Sequence, residues 1–169
     1  MRIKQLSIFV ENKFGRLEQI IDDISKNGIN ISALSLADTT DFGILRLIVD
    51  DVDKARAILK EQGVISKISE VLAVVIEDEC GGLSKALKVL GDAEISVEYM
   101  YAFVGQVSGK ALMVFQTDDD EKAEKVFVEN HIEMVQVLLF GRGGSSQGKC
   151  YTWIAITTYM LHQTVNRCV

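Results

Sequence analysis

Glu11-Asn12-Lys13-Phe14-Gly15-Arg16-Leu17 follows the apolar run Leu6 to Val10, and Glu77-Asp78-Glu79-Cys80-Gly81-Gly82-Leu83 follows another, Val71 to Ile76. Each stretch opens a segment with helical periodicity. A polar turn with a glycine between a strand and a helix leaves backbone N–H groups unpaired at the helix start, and such a place can hold a small anionic or polar group. The two halves align at a constant offset of 66 from Leu6/Leu72 to Gly43/Gly109, with Glu11/Glu77, Gly15/Gly81, Leu17/Leu83 and Ile29/Ile95 coinciding. The offset is 68 at Ala55/Ala123. The matches fall at turns and core positions, which points to duplication. A unit of this size is near the lower limit for a stable core, so two would gain by packing together.

The first half reads as βαββαβ. Ile3 to Val10 is a strand, with Ile3, Leu6, Ile8, Phe9 and Val10 as its apolar surface. Leu17, Ile20, Ile21 and Ile24 fall at i, i+3, i+4 and i+7, a helix stripe stopped by Asn27-Gly28. Ile29 to Ala37 and Phe42 to Val49 read as strands around a turn at Asp38 to Asp41. Asp50 and Asp51 suit the start of a helix with Ala55, Ile58 and Leu59 inward, ending at Gly63. Val64 to Ile68 reads as a short fourth strand. The order then restarts: a strand from Val71 to Ile76, and a helix with Leu83, Ala86, Leu87 and Leu90 inward. A strand from Ile95 to Phe103, a turn from Gly105 to Gly109 and a strand from Ala111 to Gln116 follow. Asp118, Asp119 and Asp120 start a helix with Ala123, Val126 and Phe127 inward, and Met134 to Phe140 is the last strand.

Composition bounds the function. Of 169 residues, 48% are hydrophobic and 25% charged, as in soluble globular proteins. No apolar run reaches the ~20 residues of a membrane helix, and no signal segment is read at the start. The net charge of −6 argues against nucleic acid, whose phosphates need a basic face. Cys80, Cys150 and Cys168 form no metal or disulfide spacing, so the expected setting is a reducing cytoplasm, with neither metal nor cofactor. Composition changes after Phe140. Residues 142–169 carry three cations and no acid, and begin within the linker-like Gly141 to Gly148. The domain reading is therefore unit 1 over 1–68, unit 2 over 69–140, and an atypical tail over 141–169.

A duplicated βαββαβ unit with a glycine turn after its first strand resembles the ACT domain family. The second half carries the resemblance best, in Val71-Leu72-Ala73-Val74, Gly81-Gly82-Leu83 and Ile95-Ser96-Val97-Glu98-Tyr99-Met100-Tyr101-Ala102-Phe103. The resemblance implies an α+β protein of two ferredoxin-like βαββαβ units in tandem, with antiparallel sheets and helices on one face. It implies a non-enzymatic, amino-acid-binding regulatory protein whose ligand sits at the interface of the units. It also implies a homodimer and an enzyme partner in trans. The family commonly has proline before the turn glycine, where this chain has Phe14 and Cys80. Proline would pre-set φ for the helix start, so these turns are less pre-organised.

The resemblance places the ligand on Asn12, Lys13, Phe14, Gly15 and Arg16 with Asn30 and Ser32 in the first unit. In the second it names Asp78, Glu79, Cys80, Gly81 and Gly82 with Ser96 and Glu98. Backbone N–H groups near either glycine can receive a carboxylate, and Asn12 or Asp78 can accept from an α-ammonium. The first turn suits a carboxylate and the acidic second an ammonium group. Asn12 and Asp78 could instead cap their helices. Tyr99, Tyr101 and Phe103 share a face of their strand, read as core or domain interface rather than ligand platform. Neither His131 nor His162 has a metal-ligand or nucleophile partner nearby. Three other readings compete. An oligomerisation module with a decayed ligand site keeps the fold without the ligand. A ferredoxin-like hydrolase would need a basic phosphate cradle, for which only Lys13 and Arg16 are available. An RNA-binding module would need exposed aromatics and a basic face.

Overall fold

The computed structural model describes residues 2–38, 42–103 and 109–135. The strands are β1 Arg2–Glu11, β2 Ile31–Asp38, β3 Phe42–Val49, β4 Ser66–Glu77, β5 Val97–Ala102 and β6 Lys110–Thr117. The helices are α1 Arg16–Lys26, α2 Val52–Glu61, α3 Gly82–Asp92 and α4 Asp120–Glu129. The strands form one antiparallel sheet in the order β2-β3-β1-β4-β6-β5.

The helix boundaries follow local chemistry. Gly28, at φ 71, ends α1, where its N–H donates to the Ser25 carbonyl. The side chains of Asp51 and Asp119 accept from the N–H groups of Lys54 and Lys122, both at 2.9 Å, and so cap α2 and α4. The preceding acids do different work. Asp50 accepts the Asn30 N–H at 3.0 Å, and Asp118 accepts the Ser96 N–H at 3.0 Å. Each thereby ties the residue before β2 or β5 to the end of the adjacent strand.

The sequence reads two strands, Val64 to Ile68 and Val71 to Ile76, where the protein has the single strand β4. The residues between them are polar but contain none of the glycine, proline or asparagine that make turns. Ser69 and Glu70 instead pair with Gln5 and Lys4 of β1. One strand therefore serves both units. Its first half pairs with β1, and its second half pairs with β6. Of the expected last strand, Met134 and Val135 are described. Val135 N–H donates to the Ala73 carbonyl at 2.8 Å, and the next residue of β4, Leu72, is paired with Arg2. The rest of that strand, most of the Gly105 to Gly109 turn and the tail from Gly141 lie outside the described residues.

Alternation along β4 puts all four helices on one face. Ile68 packs with α1 and α2 in a core built on Leu6, Ile8, Ile20, Ile24, Leu45, Leu47 and Leu59. Leu72 and Val74 pack with α3 and α4 around Leu90, Phe115 and Phe127. The opposite, inner face has its own core, including Ile3, Ala33, Ile48, Val71, Ala73, Tyr101, Phe103 and Val114. An antiparallel bridge between Ala33 and Phe103 brings the two edge strands β2 and β5 together, so the sheet curls around this inner core. Tyr101 and Phe103 are buried there, which gives the aromatic alternation of β5 its structural role.

Candidate functional site

Both turns place a left-handed glycine immediately before a helix: Gly15 at φ 77 before α1, and Gly81 at φ 93 before α3. L-residues with side chains seldom adopt this conformation. The glycine itself is the N-cap, so neither Asn12 nor Asp78 occupies that position. In α1 the Arg16 N–H donates to the Lys13 carbonyl and the Gln19 N–H to the Gly15 carbonyl. Among the described residues no backbone acceptor serves the N–H groups of Leu17 and Glu18. In α3 the Gly82 and Lys85 N–H groups bond the carbonyls of Glu79 and Gly81, leaving Leu83 and Ser84 in the same position. Each helix start thus offers two donors at its positive end, the arrangement that receives a carboxylate.

The side chains around the turns are already engaged with one another. Lys13 donates to Glu11 at 2.8 Å and holds that carboxyl below its ordinary range. Arg16 donates to the Gln19 amide oxygen at 2.9 Å. Lys85 donates to Glu79 at 2.9 Å, and this bond raises the Lys85 ammonium. Asn12, Phe14, Asp78 and Cys80 are exposed. The turns differ at the next residue. A Cβ at Gly82 would lie 2.0 Å from the Glu77 carbonyl oxygen, whereas the first turn carries Arg16 there.

The grouping expected within each unit is not what the strands allow. β1 and β2 are both antiparallel to β3 and therefore parallel to each other. The turn after β1 and the start of β2 consequently lie at opposite ends of their unit, and the same holds for Asp78 to Gly82 and the start of β5. Nor do the two turns share a place. They flank opposite ends of β4, whose length is about 35 Å at ~3.3 Å per residue. The antiparallel closure exchanges the partners. It carries the start of β2, with Asn30 and Ser32, toward the β5–β6 end, where Asp78 N–H donates to the Gly109 carbonyl. It carries the start of β5, with Ser96 and Glu98, toward the end where Glu11 pairs with Phe42.

Ser32 stands apart from the other residues of the group. It is 6% exposed, it sits where the β2–β3 register shifts, and its hydroxyl has no hydrogen-bond partner among the described residues. Sequence reading missed Asp50 and Asp118 as the clasps on Asn30 and Ser96. The doubled acids before each helix were the available signal. His131 is exposed at φ 56 just after α4, a helix-end residue. No group of metal-ligating side chains occurs among the described residues, and none of their helices is long and apolar enough to cross a membrane.

Two βαββαβ units in tandem, each with a glycine turn opening its first helix, define a ferredoxin-like domain pair. The model of the ACT domain pair family matches residues 1–138, and the chain belongs to that family. A solved protein from Bacteroides thetaiotaomicron is 38% identical, with 80% of this chain and 92% of that one covered and a TM-score of 0.75. The ligand-free regulatory subunit of aspartate kinase from Thermus thermophilus shares the fold at 12% identity and a TM-score of 0.55, over 76% of this chain and 90% of that one. The corresponding subunit from Thermus flavus does so at 11% identity and 0.51, over 76% and 92%. No functionally curated protein matches.

Proposed function

We propose that this ACT domain pair is a non-enzymatic regulatory protein that binds an amino acid at its glycine turns. The observation that carries the reading is the repeated pair of N–H donors with no backbone acceptor among the described residues, Leu17 with Glu18 and Leu83 with Ser84, behind a left-handed glycine. Each site combines the turn of one unit with the first residues of the second strand of the other. The Gly81 turn works with Asn30 and Ser32, and the Gly15 turn with Ser96 and Glu98. The unpartnered Ser32 hydroxyl supports a polar ligand at the first of these. The domain boundaries remain 1–68, 69–140 and 141–169, with the ligand at the interface of the units. Binding biases how units or subunits dock, which couples metabolite level to an enzyme partner in trans within the cytoplasm.

Calorimetry with the twenty amino acids tests this reading. At least one is expected to bind, with Gly15→Val and Gly81→Val each abolishing one site. If none binds at millimolar concentration, the sensor reading fails. A second reading, an oligomerisation module with a decayed site, is favoured by Phe14, which is fully exposed at the tip of the first turn. It requires a homodimer that Phe14→Ser converts to monomer in sedimentation, with no change on adding any amino acid.

A further inference from the structure

Four residues on neighbouring strands face one another in register: Ser35 on β2, Arg46 on β3, Ser7 on β1 and Lys67 on β4. Directly opposed residues share a face of a sheet. This row belongs to the inner face, because the Arg46 guanidinium lies 4.0 Å from the ring centroid of Tyr99 across the curl. Arg46 and Lys67 flank Ser7 from its two sides, about 10 Å apart across two strand spacings. Among the described residues no carboxylate pairs with either.

The next row outward on the same face is apolar. Ala37, Ile44 and Phe9 oppose one another, and Phe9 is 51% exposed. Beyond it Glu11 is already bonded to Lys13. On the inward side Gln5, fully buried, donates to the Tyr99 hydroxyl at 2.9 Å and fixes the ring on which Arg46 lies. The patch therefore has a pre-set cation, a second cation, a hydroxyl between them, and an open apolar floor about 7 Å further out.

We infer that this inner-face patch binds a small carboxylate carrying an aromatic or branched apolar body. The carboxylate sits over the Ser7 hydroxyl between Arg46 and Lys67, and the body lies on Phe9 and Ile44. Charge complementarity selects this occupant, since a second copy of the chain would present the same two cations. The site is separate from the glycine turns and does not depend on what they bind.

The test is a calorimetric titration at low salt with 3-phenylpropionate and its uncharged analogue 3-phenylpropanamide, with sedimentation of the same samples. The acid is expected to bind one to one, and the amide at least about tenfold more weakly, as befits a charge-assisted contact. Arg46→Met and Lys67→Met each raise the Kd of the acid about tenfold, whereas Phe9→Ser weakens acid and amide alike. Lys60→Met, on the outer helix α2, leaves it unchanged. Circular dichroism of each variant confirms the fold. Equal binding of acid and amide, binding insensitive to Arg46→Met and Lys67→Met, or no binding at all overturns the inference. So does a dimer that Phe9→Ser dissociates, which would make a second copy the occupant.

Discussion

Gln5 is the residue on which the inner core turns. It lies in a strand whose other inward and outward positions are mostly apolar, and nothing in its neighbourhood in the sequence marks it. The structure buries it completely, with its amide donating to Tyr99 and its carbonyl accepting from the Tyr101 hydroxyl at 2.8 Å. These partners lie more than ninety residues away, so only the closure of the sheet reveals them. Burial also pushes the Tyr101 phenol up, with the neighbouring Tyr99 adding to it. The phenol is thus favoured in its neutral form in the folded state. That stability is present at neutral pH and is lost as pH rises beyond the ordinary phenol value of ~10. Gln5→Leu would leave the Tyr101 hydroxyl buried without an acceptor. It should cost about 2–4 kcal/mol in urea unfolding, from that hydroxyl and the lost bond to Tyr99. A loss below about 0.5 kcal/mol, the scale of ordinary surface substitutions, would show that water replaces the amide.

The two turns show how far an element can be read in advance. A glycine between a strand and an amphipathic helix is legible, and both Gly15 and Gly81 prove left-handed. The size of residue tolerated just after the glycine is not legible, because it depends on how closely the preceding strand end approaches. At Gly82 the Glu77 carbonyl fills the space of a Cβ, while the first turn holds Arg16 at that position; at the turn glycines Gly15 and Gly81 a Cβ would meet nothing within 4 Å. Gly15→Ala should therefore cost only the left-handed penalty, about 1–2 kcal/mol. Gly82→Ala should cost about 3 kcal/mol, because backbone must move. Thermal unfolding of the two variants ranks them, and an equal loss would mean that the Glu77 carbonyl relaxes freely. The doubled acids Asp50-Asp51 and Asp118-Asp119 make the same point. Their place at helix starts was readable, but the division between clasp and cap depends on where the next unit of backbone lies.

For the molecule as a whole, the duplication, the α+β class and the placing of helices on one face were all legible. The duplication rests on periodicities and offsets that the fold must honour, whereas the class and the placing of the helices follow from the family resemblance. The fusion of two strands into β4 and the meeting of β2 with β5 were not, since a period-two pattern is satisfied equally by a free edge and a shared one. The grouping of the candidate site suffered for the same reason. Strand order within a unit sends the turn and the start of the second strand to opposite ends. The closure between Ala33 and Phe103 carries the start of each second strand toward the turn of the other half.

β4 also links the two halves by parity. Its even-numbered residues Ile68, Leu72 and Val74 meet the helices of both units because their positions differ by an even number. One alanine inserted between Ser69 and Glu70 would leave each half locally intact yet send the second pair of helices to the side of the inner core. Two alanines would restore the phase. The single insertion should lose cooperative thermal unfolding, and the double insertion should recover it at a lower Tm, with a tolerated single insertion pointing to a bulge that absorbs the extra residue. Length in this strand is therefore constrained in steps of two, whatever residues fill it.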